Sequence, residues 1–199
     1  MSNIPAFSGT IERRAFVKDL LALCPEALVV PGLGSSNYDV FAAGDRDENF
    51  YMWGAMGGAA LIGLGLALAQ PNKSVLVITG DGEQLMGIGG LATINAQQPK
   101  NLTIVVLDNG HFGETGMQHS HSSLGTDLTA VAKGCGIANS FKVKDASDVK
   151  TIAQNVVARS GVSFAQVYVK ADDVPRAFPS RDGVYIKNRF RQTLGLAPL

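Results

Sequence analysis

Two kinds of apolar periodicity alternate along the chain, and together they predict an α/β protein. Continuous apolar runs rich in β-branched residues predict strands that are buried on both faces, at 74–79, 102–107 and 164–169. Shorter apolar runs are compatible with further strands, at 27–30, 49–53 and 140–143. Helical spacing of the apolar side chains predicts helices at 11–24, 56–70, 84–97, 127–134 and 147–159. Strands that alternate with helices indicate a three-layer α/β fold, an open and mostly parallel sheet with helices on both faces.

Length and composition narrow the class of protein. The chain has 199 residues, which suits a single domain over 1–199, with a tail at 172–199 that we expect to wrap a neighbour or the sheet edge. Hydrophobic residues make up 46% and charged residues 17%, which is the composition of a globular protein. The 17 basic and 17 acidic side chains leave no net charge, so the sequence argues against nucleic acid or an anionic membrane as a partner.

One uncharged segment, 49–72, raises the alternative of a membrane span. Its length reaches the roughly 20 residues that a spanning helix needs, and Gly54 and Gly58 form a GxxxG pair. The segment contains five glycines, however, and no basic cluster flanks it to set an orientation. We therefore interpret it as a helix buried between the sheet and a partner, and we predict no membrane association.

Two further features concern the cellular compartment. Residues 1–16 lack the basic stretch and apolar core of a signal peptide. Cys24 and Cys135 belong to no metal-ligand spacing, and we interpret them as small buried side chains in a reducing compartment. These features predict a cytoplasmic protein without a zinc site or an iron–sulfur cluster.

Unusual polar groups follow two of the predicted strands. Gly80-Asp81-Gly82-Glu83 comes directly after the run at 74–79, and Asp108-Asn109-Gly110-His111 directly after the run at 102–107. Ligands of open α/β sheets bind beyond the carboxyl ends of the strands, and adjacent strands bring Asp81 and Asn109 close together. Carboxylate, amide and carbonyl oxygens are ligands that Mg²⁺ prefers, and the glycines allow the backbone to approach a phosphate. The two motifs together predict a metal–diphosphate site, although either motif alone is more often a simple turn.

This pair of motifs resembles the thiamine diphosphate motif, in which GDG is followed by NN after a similar interval. Here 25 residues separate Gly82 from Asp108, and Asp108 stands where the first asparagine is common. The second asparagine, a metal ligand in that family, is present as Asn109. The resemblance covers about residues 25–170 and is closest to the β subunits of sulfopyruvate and phosphonopyruvate decarboxylases, with supporting segments at 45–52, 91–94 and 113–118. It implies the thiamine diphosphate-binding fold, with thiamine diphosphate and Mg²⁺ as cofactors.

The resemblance also implies roles for individual residues. Asp81 and Asn109 would bind magnesium through their side chains, and His111 through its main-chain carbonyl. The amides of Gly82 and Glu83 would face the diphosphate, so the Glu83 carboxylate must point away from it. The carbonyl of Gly54 would accept a hydrogen bond from the aminopyrimidine, and Met56 would support the bent cofactor from below. The remaining positions implied to contact the cofactor are Gly34, Ser36, Asn37, Gly80, Phe112 and Gly113.

The implied reaction is the decarboxylation of a small 2-oxo acid, in which the cofactor takes up the electrons released as carbon dioxide leaves. Three histidines follow the second motif, and His111, His119 and His121 are candidates for proton transfer or for binding an anionic substrate tail. The alternative for His119 and His121 is that they are solvated loop residues. We expect the loop at 111–123 to be mobile without cofactor and to close over it.

A single domain of this length accommodates only half of such a site. Thiamine diphosphate binds in that family between a pyrophosphate-binding and a pyrimidine-binding domain, and the chain resembles the former alone. The resemblance therefore implies a separate pyrimidine-binding α subunit that supplies the activating glutamate, in a hetero-oligomer with at least two of each subunit. The alternatives are a carboligase of the acetolactate-synthase type, the β subunit of a 2-oxo acid:ferredoxin oxidoreductase, or a non-catalytic scaffold subunit. Two cysteines are few for the ferredoxin-linked class.

Overall fold

The computed structural model of the chain describes residues 9–199. Its strands are β1 (Leu28–Pro31), β2 (Val75–Gly80), β3 (Leu102–Asp108), β4 (His111–Phe112), β5 (Gln118–His119), β6 (Asn139–Val143) and β7 (Ser163–Tyr168). Its helices are α1 (Arg13–Leu23), α2 (Ser35–Ala42), α3 (Ala59–Ala69), α4 (Asp81–Met86), α5 (Gly90–Gln97), α6 (Leu128–Gly134), α7 (Val149–Ala158) and α8 (Gly183–Thr193). The first half of the segment considered as a signal peptide lies outside the described residues.

Five parallel strands form the central sheet in the order β1-β2-β3-β7-β6. Alternate side chains of the central strands enter two separate cores. Leu76 and Ile78 pack with α1 and α7 on one face, whereas Val75 and Val77 pack with α3, α5 and α6 on the other. This division confirms the predicted α/β fold of three layers, because continuous apolar strands bury both of their faces.

The structure differs from the predicted elements at several places. The predicted helix at 84–97 is divided into α4 and α5, and a Cβ at Gly87 would lie 2.0 Å from the carbonyl oxygen of Gly57. This close backbone approach between distant segments interrupts the helix. The predicted strand at 49–53 is reduced to a single bridge between Val29 and Asn49. The predicted loop at 32–37 ends at Gly34, because α2 begins at Ser35. The helix predicted from 56 begins at Ala59.

The tail at 172–199 contains a helix that the sequence reading missed. Asp182 caps α8 by accepting hydrogen bonds from the backbone N–H groups of Val184 and Tyr185. Ile186 and Phe190 lie one turn apart on this helix and are buried, one in each core. The tail is thus part of the domain's own packing.

Helix α3 lies within the uncharged segment 49–72 that was considered as a membrane span. It has 11 residues, and no helix in the described part of the chain combines the length and the apolar character needed to cross a bilayer. Its inner face packs on the sheet through Ala60, Leu64 and Ala67. Its outer face exposes three large apolar side chains, Leu61, Ile62 and Leu68.

Candidate active site

A cavity of about 220 Å³ lies at the carboxyl ends of β2 and β3. The register pairs Gly80 with Leu107, so Asp81 and Asp108 follow on neighbouring strands and Asn109 comes one residue later. The cavity is lined by ten of the residues predicted to contact cofactor or metal: Ser36, Met56, Gly80, Asp81, Gly82, Glu83, Asn109, His111, Phe112 and Gly113. Segments separated by more than 70 residues in sequence therefore meet at one edge of the sheet, and Asp81 and Asn109 lie at one cavity as predicted from the two strand ends.

Five predicted site residues lie outside the wall of this cavity: Gly34, Asn37, Gly54, His119 and His121. Asn37 is buried in α2, and its side-chain amide donates a hydrogen bond to the carbonyl of Met52. Gly34 precedes α2 and lies beside Glu114, which lines the cavity. Gly54 is exposed. Their predicted contacts with a cofactor remain predictions.

Asp81 is buried among hydroxyl groups. Its Oδ2 accepts a hydrogen bond from Ser120 Oγ and lies 3.1 Å from Ser122 Oγ. Ser122 Oγ also donates to Asp108 Oδ1 at 2.7 Å and thereby links the two strand ends. Burial, and next the nearby Asp108 carboxylate, raise the pKa of Asp81 to about 7. The carboxylate therefore sits in an environment that a bound cation would stabilise.

Asp108 is fully buried and is held by three segments. Its Oδ1 accepts a hydrogen bond from the backbone N–H of Gly110 at 2.9 Å, and its Oδ2 accepts one from Gln166 Nε2 at 2.7 Å. Gln166 Oε1 in turn accepts hydrogen bonds from the backbone N–H and the hydroxyl of Thr129. The residue that departs from the family motif thus fixes the turn that carries Asn109.

Asn109 and His111 form a tight turn at the cavity wall. Asn109 Oδ1 accepts a hydrogen bond from the backbone N–H of His111 at 2.9 Å, and His111 Nδ1 lies 2.8 Å from the Asn109 carbonyl oxygen. The amide oxygen of Asn109 retains a second lone pair. The side-chain oxygens of Asp81 and Asn109 and the carbonyl of His111 are the hard oxygen ligands that suit Mg²⁺.

Gly82 and Glu83 lie in the first turn of α4, where one is restricted in size by a neighbouring ring and the other is hydrogen-bonded. A Cβ at Gly82 would lie 2.6 Å from the Phe112 ring, so only glycine fits here without a shift. Glu83 Oε2 accepts hydrogen bonds from the backbone N–H of Leu33 at 3.0 Å and from Thr79 Oγ1 at 2.8 Å. Burial raises the pKa of this carboxyl, and its hydrogen bonds oppose the rise. The carboxylate is thereby directed at the β1–α2 loop.

The three histidines lie on the hairpin β4–β5 and just beyond it. The rings of His111 and His119 pack side by side with centroids 4.7 Å apart, and His119 Nδ1 lies 3.1 Å from Ser123 Oγ. The His121 ring meets Phe112 edge-on at 6.4 Å. His111 lines the cavity, and each of the other two contacts a residue that lines it.

Several residues of this region were not among the predicted site residues. Ser35, Glu114, Thr115 and Arg13 also line the cavity, and Ser120 and Ser122 contact Asp81. Arg13 carried a signal in the sequence, because a positive charge in the first turn of a helix opposes the helix dipole and is costly without a local partner. Ser120 and Ser122 carried no such signal in the sequence. Their contact with Asp81 depends on the path of the chain after β5, which brings them next to a residue about 40 positions away.

Comparison with known proteins agrees with this geometry. Residues 37–167 match the family described as thiamine pyrophosphate enzyme, C-terminal TPP binding domain, and the chain belongs to this family. The sulfopyruvate decarboxylase subunit beta of Methanococcus maripaludis is 38% identical over 83% of this chain and 89% of its own length. The phosphonopyruvate decarboxylase of Streptomyces viridochromogenes is 36% identical over 94% of this chain and 47% of its own length. The chain thus spans about half the length of some of the curated relatives it matches.

Solved structures support the fold. The benzoylformate decarboxylase of Polynucleobacter necessarius superimposes with a TM-score of 0.70 over 88% of this chain and 36% of its own, at 23% identity. The family and this likeness confirm the thiamine diphosphate-binding fold, with thiamine pyrophosphate, the same molecule as thiamine diphosphate, as the family's cofactor.

Proposed function

We propose that this chain is the pyrophosphate-binding subunit of a thiamine diphosphate-dependent 2-oxo acid decarboxylase of the sulfopyruvate or phosphonopyruvate type. The observation that carries the proposal is the meeting of Asp81 and Asn109 at one cavity, on the ends of neighbouring strands. The names of the relatives support the decarboxylase class, and three of them are named beta subunits.

In this proposal the chain's own residues hold the cofactor and its metal. Asp81, Asn109 and the His111 carbonyl would bind Mg²⁺, while the backbone at Gly82 and Glu83 would approach the diphosphate. Ser36 would add a hydroxyl contact, and Met56 an apolar one. When bound, thiamine diphosphate supplies the electron sink for breaking the bond to the carboxylate carbon.

The histidines would handle protons or an anionic substrate group. His111 lines the cavity, and His119 packs directly against its ring. A neutral imidazole both accepts and donates a proton, so such a pair is able to pass a proton between the cavity and the exposed end of the hairpin. His121 contacts Phe112, another residue of the wall, and would act from the opposite side of the hairpin.

The partner in this proposal is a pyrimidine-binding α subunit that supplies the activating glutamate. The outer face of α3 supports this, because Leu61, Ile62 and Leu68 form an exposed apolar surface without a charged residue on the helix. Met86, on α4, adds a further large exposed apolar side chain. An apolar surface of this kind is a liability unless another subunit covers it.

The experiment that tests the proposal measures carbon dioxide release with and without a partner. The chain would be purified alone and co-expressed with a pyrimidine-binding subunit, then supplied with thiamine diphosphate, Mg²⁺ and either sulfopyruvate or phosphonopyruvate. We expect the chain alone to be silent and the pair to turn over at an ordinary enzymatic rate of about 1–10³ per second. Comparable turnover by the chain alone would contradict the half-site assignment.

A further inference from the structure

Arg13 is a cation in the wall of the candidate cofactor cavity. It stands in the first turn of α1, is 6% exposed, and is the only lysine or arginine among the residues that line the cavity in the described chain. The same wall contains three carboxylates, those of Asp81, Glu83 and Glu114. Arginine is rarely buried to this degree without a partner for its charge.

Asp39 is the partner that the fold provides, but it is shared. Arg13 Nε lies 2.9 Å from Asp39 Oδ2, and Arg14 Nε lies 3.1 Å from Asp39 Oδ1. Asp39 is fully buried in α2, whereas Arg14 is partly exposed, so solvent screens the Arg14 charge. The Asp172 carboxylate also acts on Asp39, so two guanidinium groups and two carboxylates belong to this cluster. Asp39 therefore gives Arg13 one ion pair, which it shares with Arg14.

The two arginines use their remaining nitrogens differently. Arg14 directs Nη2 to the carbonyl of Pro175 at 2.8 Å, away from the cavity. For Arg13, no hydrogen bond to Nη1 or Nη2 is formed by any residue that the structure describes. These two nitrogens are the donors with which a guanidinium grips a phosphate in a two-pronged contact. Arg13 therefore forms an ion pair with Asp39 through Nε, and among the described residues its two terminal nitrogens have no hydrogen-bond partner and are available to a ligand.

We propose that Arg13 is an anion-binding residue of this site and binds the diphosphate of the cofactor. The inference rests on the proposed function, which places that diphosphate in the cavity, and it adds a ligand beyond the metal and the backbone amides. Asp39 acts as the positioning residue through its ion pair with Arg13 Nε. The guanidinium would attract the diphosphate and offset the three carboxylates of the wall, which repel it.

The test compares Arg13→Gln with the matched variant Arg14→Gln in the chain assembled with its pyrimidine-binding partner. Each substitution removes one of the two arginines from Asp39, but only the first removes a donor from the cavity. Binding of inorganic diphosphate and of thiamine diphosphate, each with Mg²⁺, would be measured by titration calorimetry. We expect Arg13→Gln to weaken both by about 10- to 100-fold, the loss typical of a hydrogen bond to a charged group. Arg14→Gln should change them less than about threefold.

Two further arms make the result specific. Thiamine without phosphate should bind the wild type and Arg13→Gln equally, because it has no anion to lose. Arg13→Lys keeps the charge and the contact with Asp39 but lacks the fork, so its affinity for diphosphate should lie between the two. This variant also keeps the test valid if Arg13→Gln fails to fold.

Equal diphosphate affinity in the wild type, Arg13→Gln and Arg13→Lys would overturn the inference and leave the proposed function standing. Equal weakening by the Arg13 and Arg14 substitutions would also overturn it, since it would indicate an effect through Asp39 alone. A wild-type complex that binds neither diphosphate with Mg²⁺ would instead contradict the proposed function and this inference together.

Discussion

The proposed role of Asp81 in metal binding would come with a cost to stability. Without a metal, its buried carboxylate lies near that of Asp108, and both burial and this repulsion raise its pKa. A divalent cation reverses the balance, because it attracts the ionised form and neutralises part of the local negative charge. The ionised Asp81 carboxylate would therefore be stabilised when a divalent cation is bound and destabilised without one. Such a conflict between function and stability is common at functional sites.

This conflict predicts a pH-dependent gain in stability for Asp81→Asn in metal-free buffer. The wild-type pKa rises from 3.8 to about 7 on folding, so the unfolded chain releases its proton first and stability falls as pH rises between these values. Asparagine does not ionise and avoids this loss. The gain should be absent near pH 4 and reach on the order of a few kcal/mol above pH 7.

Chemical denaturation of both proteins across this pH range, in the presence of a chelator, measures the difference. A constant difference between pH 4 and pH 8 would show that the Asp81 carboxyl does not titrate as described.

At the scale of the element, the segment at 111–123 is less uniform than its sequence predicted. Its few apolar residues indicated a mobile loop, yet Ser120 is fully buried and its backbone N–H donates to the Gly110 carbonyl at 2.9 Å. The hairpin β4–β5 and the serine contacts to Asp81 anchor both ends of the segment. The tip at 113–117 is exposed or partly exposed.

We therefore predict that hydrogen exchange slows at 110–117 when thiamine diphosphate and Mg²⁺ are added to the assembled complex. This part contains the exposed tip at 113–117, whereas Ser120 is fully buried and donates its backbone N–H to Gly110. Helix α7, on the far side of the sheet, is the internal control. Unchanged exchange at 110–117 would mean that this segment is not a lid, and the three histidines would lose their proposed part in the chemistry.

Some helices and strands of this fold could be predicted from the sequence pattern, and others depend on contacts between distant segments. The strands at 74–79 and 102–107 were predictable because a strand buried on both faces must be apolar throughout. The meeting of Asp81 and Asn109 at one cavity was predictable because the carboxyl ends of neighbouring parallel strands lie at the same edge of the sheet. The break between α4 and α5 was not, since it depends on Gly57 and Gly87 approaching each other from distant segments.

At the scale of the whole molecule, the exposed apolar face of α3 predicts an interface. Leu68 is 48% exposed in the last turn of the uncharged helix α3, and a lysine there would put a charge into a covered surface. We expect Leu68→Lys to weaken assembly with the pyrimidine-binding subunit by about tenfold or more, with no loss of fold. Val157→Lys, at an exposed position of α7 on the other side of the sheet, is the matched control.

Sedimentation of mixtures of the two subunits measures this assembly. If both lysine variants assemble as the wild type does, the outer face of α3 is not the subunit interface.

Calorimetric titration of thiamine diphosphate into the assembled complex measures whether Asp81 and Asn109 build a magnesium–diphosphate site. The wild type should bind the cofactor with Mg²⁺ and lose that binding when a chelator removes the metal. Asp81→Ala should abolish the magnesium-dependent binding with little loss of fold, because the residue lies at a strand end outside the two cores. Asp19→Ala, which removes an exposed carboxylate of α1, should bind as the wild type does. Unchanged cofactor affinity in Asp81→Ala would show that Asp81 does not bind the magnesium ion of the cofactor.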